Sequence, residues 1–206
     1  MDFLPQELEN IIIDYKEQLE AFEKIEEANI SFKQSYHRET TEITYNQLYY
    51  SLIDEEIKHC NEIINTDFIK PYVDYEYNGD KNIDDVINEL TEVLCEIFKV
   101  ENEEWAISSC ERNGRITLHY VLWTKKTRKQ QLYDIINSNQ DELNEIGGGV
   151  DIFSYRECNI FRIPMTYKMT YGGNVNEETY LYPENYTTYE EFYRHFVTIT
   201  EECEEL

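Results

Sequence analysis

Two acidic residues one position apart, Asp74 and Glu76, sit in the β-prone run Tyr72-Val73-Asp74-Tyr75-Glu76-Tyr77. On a strand, side chains at i and i+2 leave the same face, so both carboxylates point to one side. Carboxylates held that close raise one another's pKa unless a cation lies between them. Magnesium bound by one or two carboxylates and by a substrate's phosphates resolves the repulsion. In a chain with 43 acids the same triplet also arises as an ordinary solvated strand face. Thr117 and His119 repeat the spacing, with Ile116, Leu118, Tyr120 and Leu122 on the opposite, apolar face. That alternation predicts a histidine facing outward. A third carboxylate, Asp151, follows Gly147-Gly148-Gly149-Val150, and Arg156, Arg162 and Lys168 come after it. An aspartate leaving a glycine run can simply cap a turn. Beside a metal-binding pair it becomes a further ligand, and the cations suit a triphosphate.

Taken in order, Val73-Asp74-Tyr75-Glu76, Thr117-Leu118-His119 and Val150-Asp151 resemble the three motifs of archaeo-eukaryotic primases: hydrophobic-D-x-[DE], s-x-H and hydrophobic-D. Asp74 and His119 are 45 residues apart, His119 and Asp151 32. The stretch through Tyr155-Arg156, Phe161-Arg162 and Lys168 is similar to that family's "vD…vY…fR…K" tail. The resemblance spans residues 68–170 and is closest to poxvirus-type primase-helicases of large DNA viruses and to eukaryotic primase-polymerases. Thr117 stands where serine is commoner, and Glu76 where aspartate is.

The resemblance implies a catalytic core with an RRM-like sheet. Asp74, Glu76 and Asp151 would hold Mg2+ or Mn2+, and with His119 they would be the catalytic set. Thr117, His119, Arg162, Lys168, Arg156 and Arg115 would bind the incoming NTP or dNTP. The expected partners are a single-stranded DNA template and a helicase, on the same longer polypeptide or on a separate chain. Lys125, Lys126, Arg128 and Lys129 are candidates for template contact on charge alone, and equally suit an exposed basic helix start.

The elements that would position these residues are legible from periodicity. Residues 5–28 read as a helix, and a second helical pattern runs from Leu48 through Cys60 to Ile64, with a short strand between, from Ile30 to Tyr36. Phe68 to Tyr77 reads as a strand ending in the turn signal Asn78-Gly79, and Ile83 to Phe98 as an amphipathic helix. Trp105–Ser109 and Ile116–Trp123 look like a hairpin, 127–146 like a helix and Val150–Ile163 like a strand. Thr188-Tyr189-Glu190-Glu191 predicts a last helix running through Ile199. Strand, helix, strand, strand is half of a split βαβ unit, so the expected class is α+β. The expected domains are a mostly helical N-terminal lobe over 1–65 and a catalytic core over 66–206.

The chain has 206 residues and a formal net charge of −25, which disfavours phosphate backbones. Nine of its 18 basic residues, however, fall between 112 and 168 against six acids, leaving that segment three charges positive. Five scattered cysteines without a C-x-x-C suggest reduced thiols. There is no phosphate-binding G-x-x-x-x-G-K-[ST] loop for a motor, no signal peptide and no apolar run long enough for a bilayer. An intracellular protein, in cytoplasm or a viral replication compartment, is therefore expected. Two other functions compete with the primase: a catalytically silent replication scaffold of the same fold, and an acidic DNA mimic that blocks a nucleic-acid-binding protein.

Overall fold

Side-chain caps start the two helices that flank the first half of the chain. In the computed structural model, which describes residues 23–33, 41–155, 160–169, 174–201 and 203–206, Thr44 caps helix α1 (Tyr45–Ile53). Its hydroxyl accepts from the Gln47 amide and the Gln47 side chain returns to the Thr44 amide, each at 3.3 Å. Strands β1 (Asn29–Lys33) and β2 (Thr41–Thr44) precede it, and β3 (Asn61–Ile63) follows. The helical pattern expected to reach Ile64 stops at Asp54, where Glu55 adopts φ 55°, and Cys60 and Ile64 flank a strand instead. Of the helix expected over 5–28, only the last turn, 23–26, lies within the described residues.

Pro71 has no amide to give a ladder, so the Phe68–Tyr77 run forms two strands, β4 (Phe68–Ile69) and β5 (Tyr72–Asn78). Asn82 then caps α2 (Ile83–Phe98), accepting from the Asp85 amide at 2.9 Å, and Lys99 ends it at φ 56°. Next come the hairpin strands β6 (Trp105–Arg112) and β7 (Arg115–Leu122), then β8 (Lys125–Arg128). Helices α3 (Lys129–Ser138) and α4 (Gln140–Glu145) follow, then β9 (Gly148–Val150).

These strands form a five-stranded antiparallel sheet in the order β13-β6-β7-β5-β9, with β13 (Tyr182–Pro183) at one edge. The β6-β7-β5-β9 order, with helices after β5 and β7, is that of a split βαβ unit. The α+β class expected from the sequence holds. One face carries Val73, Tyr75, Tyr77, Ile116, Leu118 and Tyr120 against Val86, Leu90, Leu94 and Phe98 of α2 and Leu132, Ile136 and Leu143 of α3 and α4. The Tyr120 hydroxyl donates to the Ile87 carbonyl at 3.0 Å, so the buried phenol is satisfied.

A second sheet, β10-β3-β1-β2, takes in β10 (Ile160–Arg162). Its core joins Ile25, Ile30, Phe32, Tyr45, Leu48 and Leu52 to Ile163, Phe192, Phe196 and Ile199, so it draws on residues from both sides of position 65. Strands β1, β2 and β3 give this part of the chain more sheet than its helical pattern predicts. The strand expected over Val150–Ile163 is also divided: β9 ends at Val150, a 3-10 turn covers Ile152–Tyr155, and β10 joins the other sheet. Strands β11 (Lys168–Met169) and β12 (Val175–Asn176) pair with each other, and β14 (Glu204–Glu205) runs parallel to β8. No helix among the described residues is long and apolar enough to cross a membrane.

The expected C-terminal helix is a 3-10 turn, Phe192–His195. Its continuation is pre-empted by Glu62 of β3, which accepts from the amides of Val197 (2.9 Å) and Thr198 (2.8 Å) and from the Thr198 hydroxyl (2.5 Å). Those amides bond a carboxylate instead of helix carbonyls. Beside it, fully buried Lys70 donates to the Tyr193 carbonyl at 3.2 Å and lies 5.1 Å from that ring's centre. Burial raises the Glu62 pKa, and its three donors oppose the rise. Replacing Glu62 with Ala orphans those donors, and a loss of about 3 kcal/mol is expected from the urea-unfolding midpoint. An unchanged midpoint would mean that the segment 192–199 is held by its apolar side chains alone.

Candidate active site

The face of the central sheet turned away from α2 is polar, and its order follows from register. Asp74 of β5 lies opposite His119 of β7, which lies opposite Ser108 of β6. The next row is Glu76, Thr117 and Cys110, and Arg115 and Arg112 stand at the hairpin end. On the other side of β5, the Asp151 amide donates to the Asp74 carbonyl at 2.9 Å, so Asp151 enters the site directly after β9. The glycine run makes that approach possible. A Cβ on Gly148 would come within 2.5 Å of the Glu76 carbonyl oxygen and 2.6 Å of the Tyr75 ring, contacts no side chain can make.

The histidine expected to face outward is instead buried, 4% exposed. Phe161 of β10 stacks on its ring with centroids 4.4 Å apart and also packs on Tyr72 at 4.9 Å. Arg162 is buried beside it and donates through Nη1 to the Thr179 carbonyl at 2.8 Å. Alternation on β7 correctly separated the polar from the apolar face but carried no sign that β10 would cover the polar one.

Buried polar atoms normally find hydrogen-bond partners. Seven buried side-chain atoms among the described residues have none, and four of them meet here: Asp74 Oδ1, His119 Nδ1, and Nε and Nη2 of Arg162. His119 Nε2 is 3.6 Å from Asp74 Oδ1, beyond hydrogen-bond length. Burial lifts the Asp74 carboxyl to about 6; Lys168, Arg162 and Arg115 oppose the rise and Asp151 adds to it. Burial holds His119 well below the ordinary imidazole range, and the charges of Arg162 and Lys168 push the same way. The ring is therefore neutral at pH 7.

Glu76 is handled differently. Arg115 hydrogen-bonds one of its carboxylate oxygens, and Lys168 Nζ stands 3.9 Å from the other. These cations line a cavity of about 170 Å³ with Cys110, Arg112, Thr117 and Thr179. Asp74 offers a cation a buried, undonated carboxylate oxygen with Asp151 as neighbour, a donor set that fits a divalent ion. Glu76 joins such a set only by releasing Arg115 and Lys168. Among the described residues no group of three or more His, Cys, Asp or Glu is drawn together in the geometry of a metal site.

The fold thus brings together Asp74, Glu76, Thr117, His119, Asp151, Arg115, Arg162 and Lys168; Arg156 lies outside the described residues. Lys125, Lys126 and Arg128 belong to a different sheet, β14-β8-β4, and Lys129 opens α3 directly after it. Lys125 pairs with Glu204 at 2.7 Å, and Lys126 and Arg128 lie over the Phe68 ring at 6.0 and 5.2 Å. Lys129 donates to the Ile64 carbonyl. Arg112 and Cys110, spaced i and i+2 on β6, share the polar face and were readable by the alternation applied to β5 and β7; Thr179 carries no such signal. No family model matches the chain, and no curated protein matches it either.

Asp74 has a testable linkage. Its folded pKa lies above the ordinary value of 3.8, so its protonated form is favoured by folding. That contribution is complete below about pH 4 and lost as pH rises through about 6. Asp74→Asn is therefore expected to stabilise the protein at pH 7 by about 1–2 kcal/mol, with the gain vanishing near pH 4, in urea melts at both pH values. Equal melts at pH 7 would mean that Asp74 ionises without cost.

Proposed function

We propose that this chain is the catalytic domain of an archaeo-eukaryotic-type primase, a metal-dependent nucleotidyltransferase that builds primers on single-stranded DNA. The observation that carries the proposal is the convergence of Asp74, His119 and Asp151. Separated by 45 and 32 residues, they become neighbours on one polar sheet face with Glu76, Arg115, Arg162 and Lys168 around them. A D-x-E triplet that was only a solvated strand face would have no reason to share its face with a buried histidine and a buried arginine.

Asp74, Glu76 and Asp151 would hold Mg2+ or Mn2+, which supplies charge neutralisation at the reacting phosphate and a more acidic primer 3′-hydroxyl. Arg115 and Lys168 exchange the Glu76 carboxylate for the phosphates of an incoming NTP or dNTP, both anions being suited to the same cations. Arg162, whose Nε and Nη2 stand outside its bond to Thr179, neutralises charge developing toward the leaving pyrophosphate. Neutral His119 donates to a phosphate oxygen without adding a charge, and Phe161 fixes its ring. Thr117 contributes a hydroxyl to the same cavity. A helicase, on this polypeptide or another, would supply the single-stranded template.

A silent scaffold of the same fold draws support from a different observation, the engagement of Glu76 by Arg115 and Lys168. Primer synthesis on single-stranded DNA with magnesium or manganese separates the two. The wild-type chain is expected to make products that fall at least about a hundredfold in Asp74→Ala/Glu76→Ala, with circular dichroism unchanged. A folded wild type that makes none, with either metal and either nucleotide type, would leave the scaffold in its place.

A further inference from the structure

Four large apolar side chains among the described residues are exposed: Tyr50, Ile53, Tyr182 and Leu206. Two of them, Ile53 and Tyr182, line one cavity of about 210 Å³ that shares no lining residue with the cavity at Glu76. Exposed apolar surface gathered around a concavity marks a binding site more often than scattered apolar residues do. Three of its lining residues are tyrosines whose rings touch one after another. The rings of Tyr167 and Tyr180 are 4.9 Å apart and inclined at 58°, and those of Tyr180 and Tyr182 are 4.5 Å apart at 69°. Rings tilted in this way do not form a flat stack; they turn a corner along the cavity wall. Leu52, Ile53 and Met165 add an apolar side.

The cavity's charged lining residues are Glu55 and Lys58, and the chain at Glu55 is acidic on both sides. Asp54, Glu55 and Glu56 are consecutive and exposed, and Glu55 lines the cavity near Tyr180, whose pKa is raised by burial first, then by Tyr167 and Tyr182, and least by Glu55. The cation in the lining is Lys58, and it is paired with Glu55 at 3.8 Å. Aromatic faces with a carboxylate beside them attract cations, while an aliphatic side suits the stem of a long basic side chain.

We propose that this pocket receives an arginine or lysine side chain from a basic polypeptide segment, with the cation against the tyrosine faces and Glu55 and the stem along Ile53 and Met165. Charge selects this occupant. A nucleic acid would bring phosphates to three consecutive acids, and the tilted rings offer no parallel slot for a base. A second copy of the chain would bring another −25 charges. A basic segment is drawn in by the same field that repels both. The pocket stands independently of the polar sheet face, so it holds whether or not the chain makes primers.

The test is an anisotropy titration of the full chain into a fluorescein-labelled (Arg-Pro)4 peptide at about 0.3 M salt, which screens charges beyond roughly 6 Å. Saturable binding is expected, weakened about tenfold by Tyr182→Ala and severalfold by Glu55→Gln. Both changes are at exposed positions and leave the fold intact. Lys58→Ala, which removes the resident competitor, is expected to tighten binding, and Tyr50→Ala, at an exposed tyrosine outside the pocket, to leave it unchanged. Equal affinity in every variant would reduce the effect to diffuse attraction to an acidic surface and overturn the proposal. So would the absence of saturable binding. Labelled oligo(dT) bound in place of the peptide, and weakened by both Tyr182→Ala and Lys58→Ala, would assign the pocket to nucleic acid instead.

Discussion

The polar face of the central sheet has to be covered, and the strand that covers it belongs to another sheet. Residues 160–162 hydrogen-bond to β3 while Phe161 lies on His119 and Tyr72 of the central sheet. That double attachment removes water from Asp74 and His119, and dehydration is the largest cause of both pKa shifts. It also puts Arg162 within reach of the carboxylates. Without β10 the same residues would form an ordinary wet strand surface, with ordinary carboxylates and a titrating histidine.

Charged groups recur along the contact between the two layers. Glu62 and Lys70 are as buried as the core, and each is satisfied by backbone of the segment 193–198. Breaking such a group's bonds costs far more than forming them contributes, so these residues specify one docking arrangement more than they add stability. The polar face differs in that some of its atoms keep no partner. Among the described residues, Glu62 and Lys70 are satisfied, whereas Asp74, His119 and Arg162 each keep a buried polar atom without a partner.

Local patterns in the sequence predicted most of the central sheet. Alternation placed β5 and β7, the 3.6-residue period placed α2, and Asn78-Gly79 marked the end of β5. From these followed the shared face of Asp74, Glu76, Thr117 and His119. What stayed hidden depended on contacts distant in sequence. The helix anticipated after Thr188 yields because Glu62, more than 120 residues earlier, takes its amides, and no local period records that. Val150–Ile163 reads as one strand because its apolar residues are continuous, yet they serve two sheets. The basic run 125–129 suits a template contact or an exposed helix start equally on charge alone, and its contacts with Glu204, Phe68 and the Ile64 carbonyl left no trace in the local sequence. Charge in a sequence says where a cation is, not what already holds it.

The sharing of β10 also ties occupancy to folding. Because one strand closes the candidate site and completes the sheet of β1, β2 and β3, local opening of that sheet must lift Phe161 and Arg162 from the polar face. Any ligand that requires the closed face then adds its binding free energy to the opening cost of β1 and β3, though it touches neither. Backbone amides of β1, such as that of Phe32, thereby become reporters of whether the site is filled, through their rate of exchange with solvent deuterium.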